Sequence, residues 1–427
     1  MDVLLLGAGG REHALLKAIQ ASPECGRVWA APGNGGMAGA DVAPIDENSP
    51  AAVARFATDN GVDLVVIGPE APLVAGVADA CRDAGVPVFG PGAEAAQLEG
   101  SKLFAKRVME RAGVPTAAYA SFTEEAPALA YVEEQGAPLV VKADGLAAGK
   151  GVVVAQTVEE AAEAVRSCFS GAFGEAGSCV VVEEMLTGPE CSLLSVTDGT
   201  TVVPLACAQD HKRALEGDLG PNTGGMGVYS PVPFATPQEQ AAMETANEMV
   251  VRTLAAMGIP YRGVIYGGFM LTPEGPKVLE FNARFGDPET QVIVPRFKGD
   301  LLRFLYAAAT GTLDAAMASW DDDWAVSVVL VSEGYPGSYE KGKPITGIEE
   351  AEEVPGVTVY HAGTALADDG TLVTAGGRVL DVTAVAPTFE GARDAAYAAC
   401  DRIGFEGKTL RRDIGAKALR GREAWEV

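Results

Sequence analysis

Residues 3–20 read Val-Leu-Leu-Leu-Gly-Ala-Gly-Gly-Arg-Glu-His-Ala-Leu-Leu-Lys-Ala-Ile-Gln, an apolar run that breaks into glycines and then into a helical pattern. A buried strand, a glycine turn and a helix open a parallel α/β unit. The rhythm continues through VWAA (28–31), AAVARFATDN (51–60), DLVVIG (63–68), LVAGVADACRDAG (73–85) and VPVFG (86–90). It predicts a doubly wound parallel sheet, with Gly7, Pro32 and Gly68 at strand ends where such sheets carry ligand loops.

Farther along, Ser101 starts a helix that Gly113-Val114-Pro115 ends, which places a domain boundary near residue 100. Strand-like PLVVKADG, GVVVAQ and CVVVEEML flank an alanine-rich helix at 158–168 and predict a small α+β lobe over about 120–190. The stretch 215–229 has little periodicity and reads as a functional loop or a disordered insert, its composition favouring the loop. Past residue 325, AVSVVLVS, VTVYHAG, GRVLDVTAV and a helix TFEGARDAAYAACDRI predict a small mixed domain. The expected division is 1–100, 101–325 and 326–427, an α/β and α+β multidomain chain.

The 427 residues leave ample volume for several cores. With 58 acidic against 32 basic residues, the net charge of −26 disfavours nucleic acid and anionic membranes as partners. Seven cysteines without a CxxC pair point to a reducing cytoplasm, and MDVLLLGAGG reads as strand and loop rather than a signal peptide. Only His13, His211 and His361 occur, which argues against a multi-histidine metal centre, and no GxSxG elbow supports a serine hydrolase.

Four stretches carry candidate chemistry. Gly7 to Glu12 aims backbone N–H groups at an anion, yet Glu12 stands where a dinucleotide fingerprint needs glycine. With Arg11 and the loop Asn34-Gly35-Gly36 it suits a phosphorylated sugar, or it is simply tight strand-to-helix packing. In the second, Lys142 and Lys150 flank a glycine-rich hairpin that fails as a Walker A loop, because Gly145 to Gly149 is one residue short and Gly151 replaces the magnesium-binding hydroxyl. Two lysines at this spacing, with Lys102 nearby, favour phosphate binding over a solvated hairpin. In the third, 277–289, strand alternation puts Glu280, Asn282 and Arg284 on one face and Leu279, Phe281 and Phe285 on the other, a face suited to magnesium and phosphate. In the fourth, Asp210-His211-Lys212-Arg213 before GPNTGGMG (220–227) offers charges to position an acidic substrate, or a solvated charge run.

Together GAGGREHAL, GPEAPLVAG, KADGLAAGKGV, AQDHKR, GPNTGGMG, LEFNARFGDPE, HAGT and RRDIG resemble the ATP-grasp superfamily, in order from residue 7 to residue 415. The likeness is closest to its branch of carboxylate–amine ligases that join glycine to 5-phosphoribosylamine in purine biosynthesis. That resemblance implies an N-terminal Rossmann-like domain, a two-lobed ATP-grasp region and a small C-terminal mixed domain, with ATP between two antiparallel sheets and Lys102, Lys142 and Gly149-Lys150-Gly151 on its phosphates. It implies the hinge Glu183-Glu184-Met185-Leu186 on adenine, mainly through backbone groups, and Glu190 on the ribose. Glu280 and Asn282 match ligands of Mg²⁺ or Mn²⁺, Arg284 would stabilise the moving phosphoryl group, and Asp210 and Lys212 would serve the chemistry. Gly10, Arg11, Glu12, Asn34, Gly35, Gly36, Glu70, Thr223, Gly224 and Asp287 would bind substrate. Two departures stand out: Tyr266 to Met270 carries no acidic metal ligand, and Glu216 and Leu219 replace an Asp and a polar residue. A monomer acting on small molecules is expected.

Overall fold

The computed structural model describes residues 1–145, 151–172 and 174–420. Its N-terminal sheet is five parallel strands in the order Asp41–Val42, Val28–Pro32, Val3–Gly7, Leu64–Ile67, Val88–Phe89. Val3 and Leu5 enter one core and Leu4 and Leu6 another, so the central strand is apolar on both faces because both faces are covered. The stretch expected as one helix at 73–85 is two, Glu70–Val74 and Val77–Asp83, because Gly76 turns left-handed at φ 89° between them.

The small lobe is an antiparallel sheet ordered Tyr119–Phe122, Val180–Glu184, Leu139–Ala143, Val152–Ala155. Helices Glu125–Gln135 and Val158–Ser167 pack on one face, where Leu139, Val141, Val180 and Val182 share a core with Val132 and Val165. Strand alternation therefore sends Lys142 and Glu183 to the opposite face. The lysine is buried there, not solvated.

The large lobe carries the sheet Val202–Pro204, Glu190–Thr197, Gly263–Thr272, Gly275–Asn282. Its register shifts between Gly268, opposite Glu280, and Phe269, opposite Val278. This bulge gives one strand an extra residue. In consequence Val278 joins Phe281 in the core and Leu279 does not, contrary to strict alternation.

The glycine-rich stretch is ordered structure. It forms a hairpin of Arg213–Leu215 with Leu219–Asn222, then strand Gly227–Ser230. That strand enters the C-terminal sheet, ordered Gln209–Asp210, Gly227–Ser230, Trp324–Ser332, Arg378–Ala386, Val357–His361. Helix Phe389–Cys400 covers it. Among the described residues no helix is long and apolar enough to cross a membrane.

Candidate functional site

The inner faces of the two lobes meet at Lys142. Its Nζ donates to the carbonyl of Leu279 at 3.0 Å and lies 2.9 Å from Glu183 Oε2. Glu183 Oε1 faces a second lysine, Lys106, at 3.2 Å. The hinge behind them is closed by Glu184 N to Ala118 O at 2.9 Å and Ala118 N to Glu184 Oε1 at 3.0 Å, and Leu186 follows it half-buried. Ser101 caps the helix Lys102–Ala112 and donates to Asp144 Oδ1 at 3.0 Å, tying Lys102 to the end of the Lys142 strand. Gly151 O accepts from Ala143 N at 2.8 Å; Gly149 and Lys150 lie outside the described residues.

Across the cleft, Lys212 Nζ stands 3.4 Å from Glu190 Oε2 and 3.6 Å from Glu280 Oε1. Glu190 and Glu280 come from strands on either side of Gly263–Thr272, paired at Met270 and Gly268, so the sheet register sets their spacing. Burial would raise the Glu280 carboxyl, but Lys212, Lys102, Lys142 and Arg284 outweigh it and bring it down to about 2. Glu190, with burial opposing, drives Lys212 upward. Both groups are charged at neutral pH. Among the described residues no group of three or more His, Cys, Asp or Glu converges to hold a metal. The Glu280 carboxylate and the adjacent buried Asn282 amide nevertheless supply two hard oxygens, a donor set that fits Mg²⁺, which retains waters and takes substrate phosphate oxygens.

Arg284 is held by carboxylates: Nη2 is 2.8 Å from Glu99 and Nε 3.6 Å from Glu70. Glu99 Oε2 also accepts Ala283 N at 2.7 Å. Glu70 follows Gly68 at the end of a parallel strand, so this cluster joins the N-terminal crevice to the central cleft.

In the crevice, the Glu12 carboxylate accepts Gly9 N at 2.6 Å. A Cβ at Gly7, Gly9 or Gly68 would lie within 2.6, 2.8 or 1.9 Å of that side chain, so these glycines make its berth. Arg11 is no free cation at the helix end. It is 6% exposed, pairs with Glu12 and donates to Phe285 O at 3.1 Å, because the turn after Arg284 packs over it. Nor is the Asn34 loop open: Asn34 Nδ2 donates to Ala8 O and His361 O, both at 2.8 Å, Gly35 N donates to Thr364 O, and Gly36 abuts the His361 ring. The HAGT string is thus a seat for this loop.

The run Asp210 to Arg213 is split rather than shared. His211 is turned inward, its Nε2 accepting Gly415 N at 2.9 Å, with burial pulling it down to about 4. Lys212 alone reaches the cleft carboxylates, while Arg213 donates to Gly220 O. Asp210 Oδ1 is buried and unpartnered among the described residues, and burial, then Glu289, raises its pKa well above the ordinary value. Thr223 Oγ1 donates to Lys212 O at 2.9 Å. Glu216 accepts Arg412 N and Leu219 is 64% exposed, so neither joins the cleft.

Arg378 binds Gly224 to Asp287: Nη1 donates to Gly224 O at 2.7 Å and Asp287 O at 2.8 Å, and Nη2 to Asp287 Oδ2 at 2.8 Å. Gln291 Nε2 bridges Asp287 and Asp381 at 2.7 and 3.0 Å, and Asp381 fills the space where Gly10 lacks a side chain. Burial and then Asp287 raise Asp381 to about 7. An acid raised on folding binds more protons in the folded state, so its stability contribution falls as pH climbs from about 4 to about 7. Asp381→Asn should therefore gain on the parent with rising pH, by about 1–3 kcal/mol at pH 8. Urea unfolding at pH 5 and pH 8 checks this; an equal difference at both would refute it.

Comparison with known proteins adds a second line. Residues 1–99, 100–290 and 325–417 match the N domain, ATP-grasp (A) domain and C domain of phosphoribosylglycinamide synthetase. The chain belongs to the phosphoribosylglycinamide synthetase family. It is 52% identical over 421 residues to the phosphoribosylamine–glycine ligase of Rhizobium meliloti, covering 98% of this chain and 99% of that one. To the Pseudomonas aeruginosa enzyme of that name it is 50% identical, covering 98% of each. The Thermotoga maritima phosphoribosylamine–glycine ligase structure superposes with a TM-score of 0.84 at 35% identity, covering 97% of this chain and 100% of that one. A Campylobacter jejuni biotin carboxylase, at 16% identity, covers 96% of this chain and 92% of its own with a TM-score of 0.73, and shows the shared fold alone.

Within this synthetase fold, four residues escaped the sequence reading: Glu99, Lys106, Arg378 and Asp381. Each lies in an ordinary helix or strand pattern and acquires its partner from far along the chain. Arg378 alone carried a signal, as a cation opening the strand stretch GGRVL ahead of Asp381.

Proposed function

We propose that this chain ligates glycine to 5-phosphoribosylamine at the expense of ATP, giving glycinamide ribonucleotide, ADP and phosphate by way of glycyl phosphate. The observation that carries it is the meeting of the lobes, where the Lys142 ammonium rests on the carbonyl next to Glu280 and Lys212 spans Glu190 and Glu280. Lys142 from the small lobe and Lys212, Glu190 and Glu280 from across the cleft close on a single space, a suitable bed for a nucleotide's terminal phosphate and its divalent ion.

In this reading Lys102, Lys142 and the 149–151 segment contact ATP phosphates, the 183–186 backbone holds adenine, and Glu190 takes the ribose hydroxyls. Glu280 and Asn282 would hold Mg²⁺ or Mn²⁺, which supplies charge neutralisation on the phosphates when bound. Glycine's carboxylate is a poor acyl donor until one oxygen carries phosphate. That oxygen attacks the γ-phosphorus and the bond to the β–γ bridging oxygen breaks, releasing ADP, with Arg284 and Lys212 facing the charge that moves. The sugar amine then attacks the glycyl carbonyl carbon and phosphate leaves. Asp210, whose buried Oδ1 has no partner among the described residues, accepts the amine's proton. Gly10 to Glu12, Asn34 to Gly36, Glu70, Thr223, Gly224 and Asp287 frame the sugar-phosphate side. The functional division into 1–100, 101–325 with its lid at about 120–190, and 326–427 belongs to the same proposal, as do a cytoplasmic, monomeric state and the absence of nucleic-acid partners.

The test is glycine-dependent ADP release with freshly generated phosphoribosylamine; release that ignores either substrate would sink the reading. Arg11→Ala should raise KM for phosphoribosylamine about tenfold, since Glu12 loses its partner, while KM for ATP changes less than about twofold. Equal effects on both constants would place Arg11 outside the sugar site.

A further inference from the structure

The buried ion cluster of the small lobe has one more cation than the nucleotide reading uses. Lys106 is 2% exposed, on the helix Lys102–Ala112 that leads into the lobe. Its Nζ donates to Thr116 Oγ1 at 2.8 Å and Ala117 O at 3.3 Å, immediately before the strand Tyr119–Phe122, and sits over the Tyr119 ring at 5.2 Å. Thr116 Oγ1 in turn donates to Val278 O at 2.7 Å, two residues before Glu280. The remaining approach is to Glu183 Oε1 at 3.2 Å, whose other oxygen holds Lys142 at 2.9 Å.

The charge count gives this arrangement a consequence. One carboxylate between two ammonium groups leaves one positive charge unspent. A carboxylate facing Lys142 alone would neutralise it in a tight buried pair, and in a low-dielectric site such a pair yields little to an incoming anion. Lys106 divides Glu183's attraction and, through Thr116 and Ala117, fixes where that division occurs relative to the Glu280 strand.

We propose that Lys106 is a positioning residue for ATP, which by sharing Glu183 keeps the Lys142 ammonium available to the nucleotide's phosphates. The inference rests on the reading that Lys142 meets those phosphates. Lys106 itself touches no substrate.

The experiment compares steady-state kinetics of Lys106→Met, Lys106→Gln, Lys142→Met and the double variant Lys106→Met/Glu183→Gln in the full chain. Lys106→Met should raise KM for ATP about tenfold while kcat and KM for glycine stay within about twofold, a change of about 1.4 kcal/mol in ATP binding alone. Lys106→Gln, which retains a donor for Thr116 and Ala117, should show the same split if the methionine variant folds poorly. The double variant should recover ATP affinity to within about threefold of the parent, because neutralising Glu183 frees Lys142. A purely structural lysine would make the double variant worse. An unchanged KM for ATP in both single Lys106 variants, or no recovery in the double, overturns the proposal. If Lys142→Met leaves KM for ATP unaltered, the underlying assignment of Lys142 fails instead.

Discussion

Glu280→Ala is expected to lower turnover by about a thousandfold or more while leaving the fold intact. The carboxylate stands about 2 in pKa because four cations surround it, so at any working pH it presents a full negative charge to the cleft. In the proposed reading its removal would cost the divalent ion one of two protein oxygens, and it frees Lys212 to pair with Glu190 alone. Losing several kcal/mol of charge stabilisation on the phosphates accounts for a factor of this size. Stability should change little, since Glu280 is partly exposed and Val278 and Phe281 supply the packing. Turnover against Mg²⁺ concentration, with thermal unfolding alongside, tests both halves. Near-parental activity with ordinary magnesium dependence would remove Glu280 from the metal.

What the sequence disclosed, and what it hid, divides along chain distance. The parallel sheet was legible because Val3 to Gly7 and its neighbours follow local periodicity and end in glycine, and the cap at Ser101 and the left-handed Gly113 obey rules spanning three or four residues. The lysine hairpin was legible for the same reason, since Leu139 to Lys142 alternate faithfully. One residue past regularity the reading erred: the bulge opposite Gly268 moved Leu279 out of the core, and no property of Leu279 itself announces a bulge set by the partner strand. His211 looked like a neighbour of Asp210 and Lys212 in function as in sequence, but Gly415 claims its ring from 204 residues away. Arg11 likewise seemed a free cation until the Phe285 carbonyl, 274 residues on, took it up. Burial with a distant partner leaves no local pattern to read.

Arg284→Ala should damage stability and activity together, and for separable reasons. The guanidinium lies between Glu99, which is 4% exposed, and Glu70, so its loss strands a buried carboxylate. Breaking a buried pair from one side costs about 3–5 kcal/mol, chiefly through the charge left behind. Burial already raises Glu99 and Arg284 is the chief group holding it down, so in the variant Glu99 rises further above its unfolded value. A folded-state rise in an acid means stability lost as pH climbs through that range, so the defect should be smaller at pH 5 than at pH 8. Adding Glu99→Gln removes the stranded charge and should restore part of the stability at pH 8. If Arg284 faces the transferring phosphoryl group as proposed, this change cannot restore that cation, and kcat should remain at least about a hundredfold down in the double variant. Recovery of kcat in step with stability would show that Arg284 only braces the Glu70–Glu99 junction and that the phosphoryl charge is met by the lysines alone.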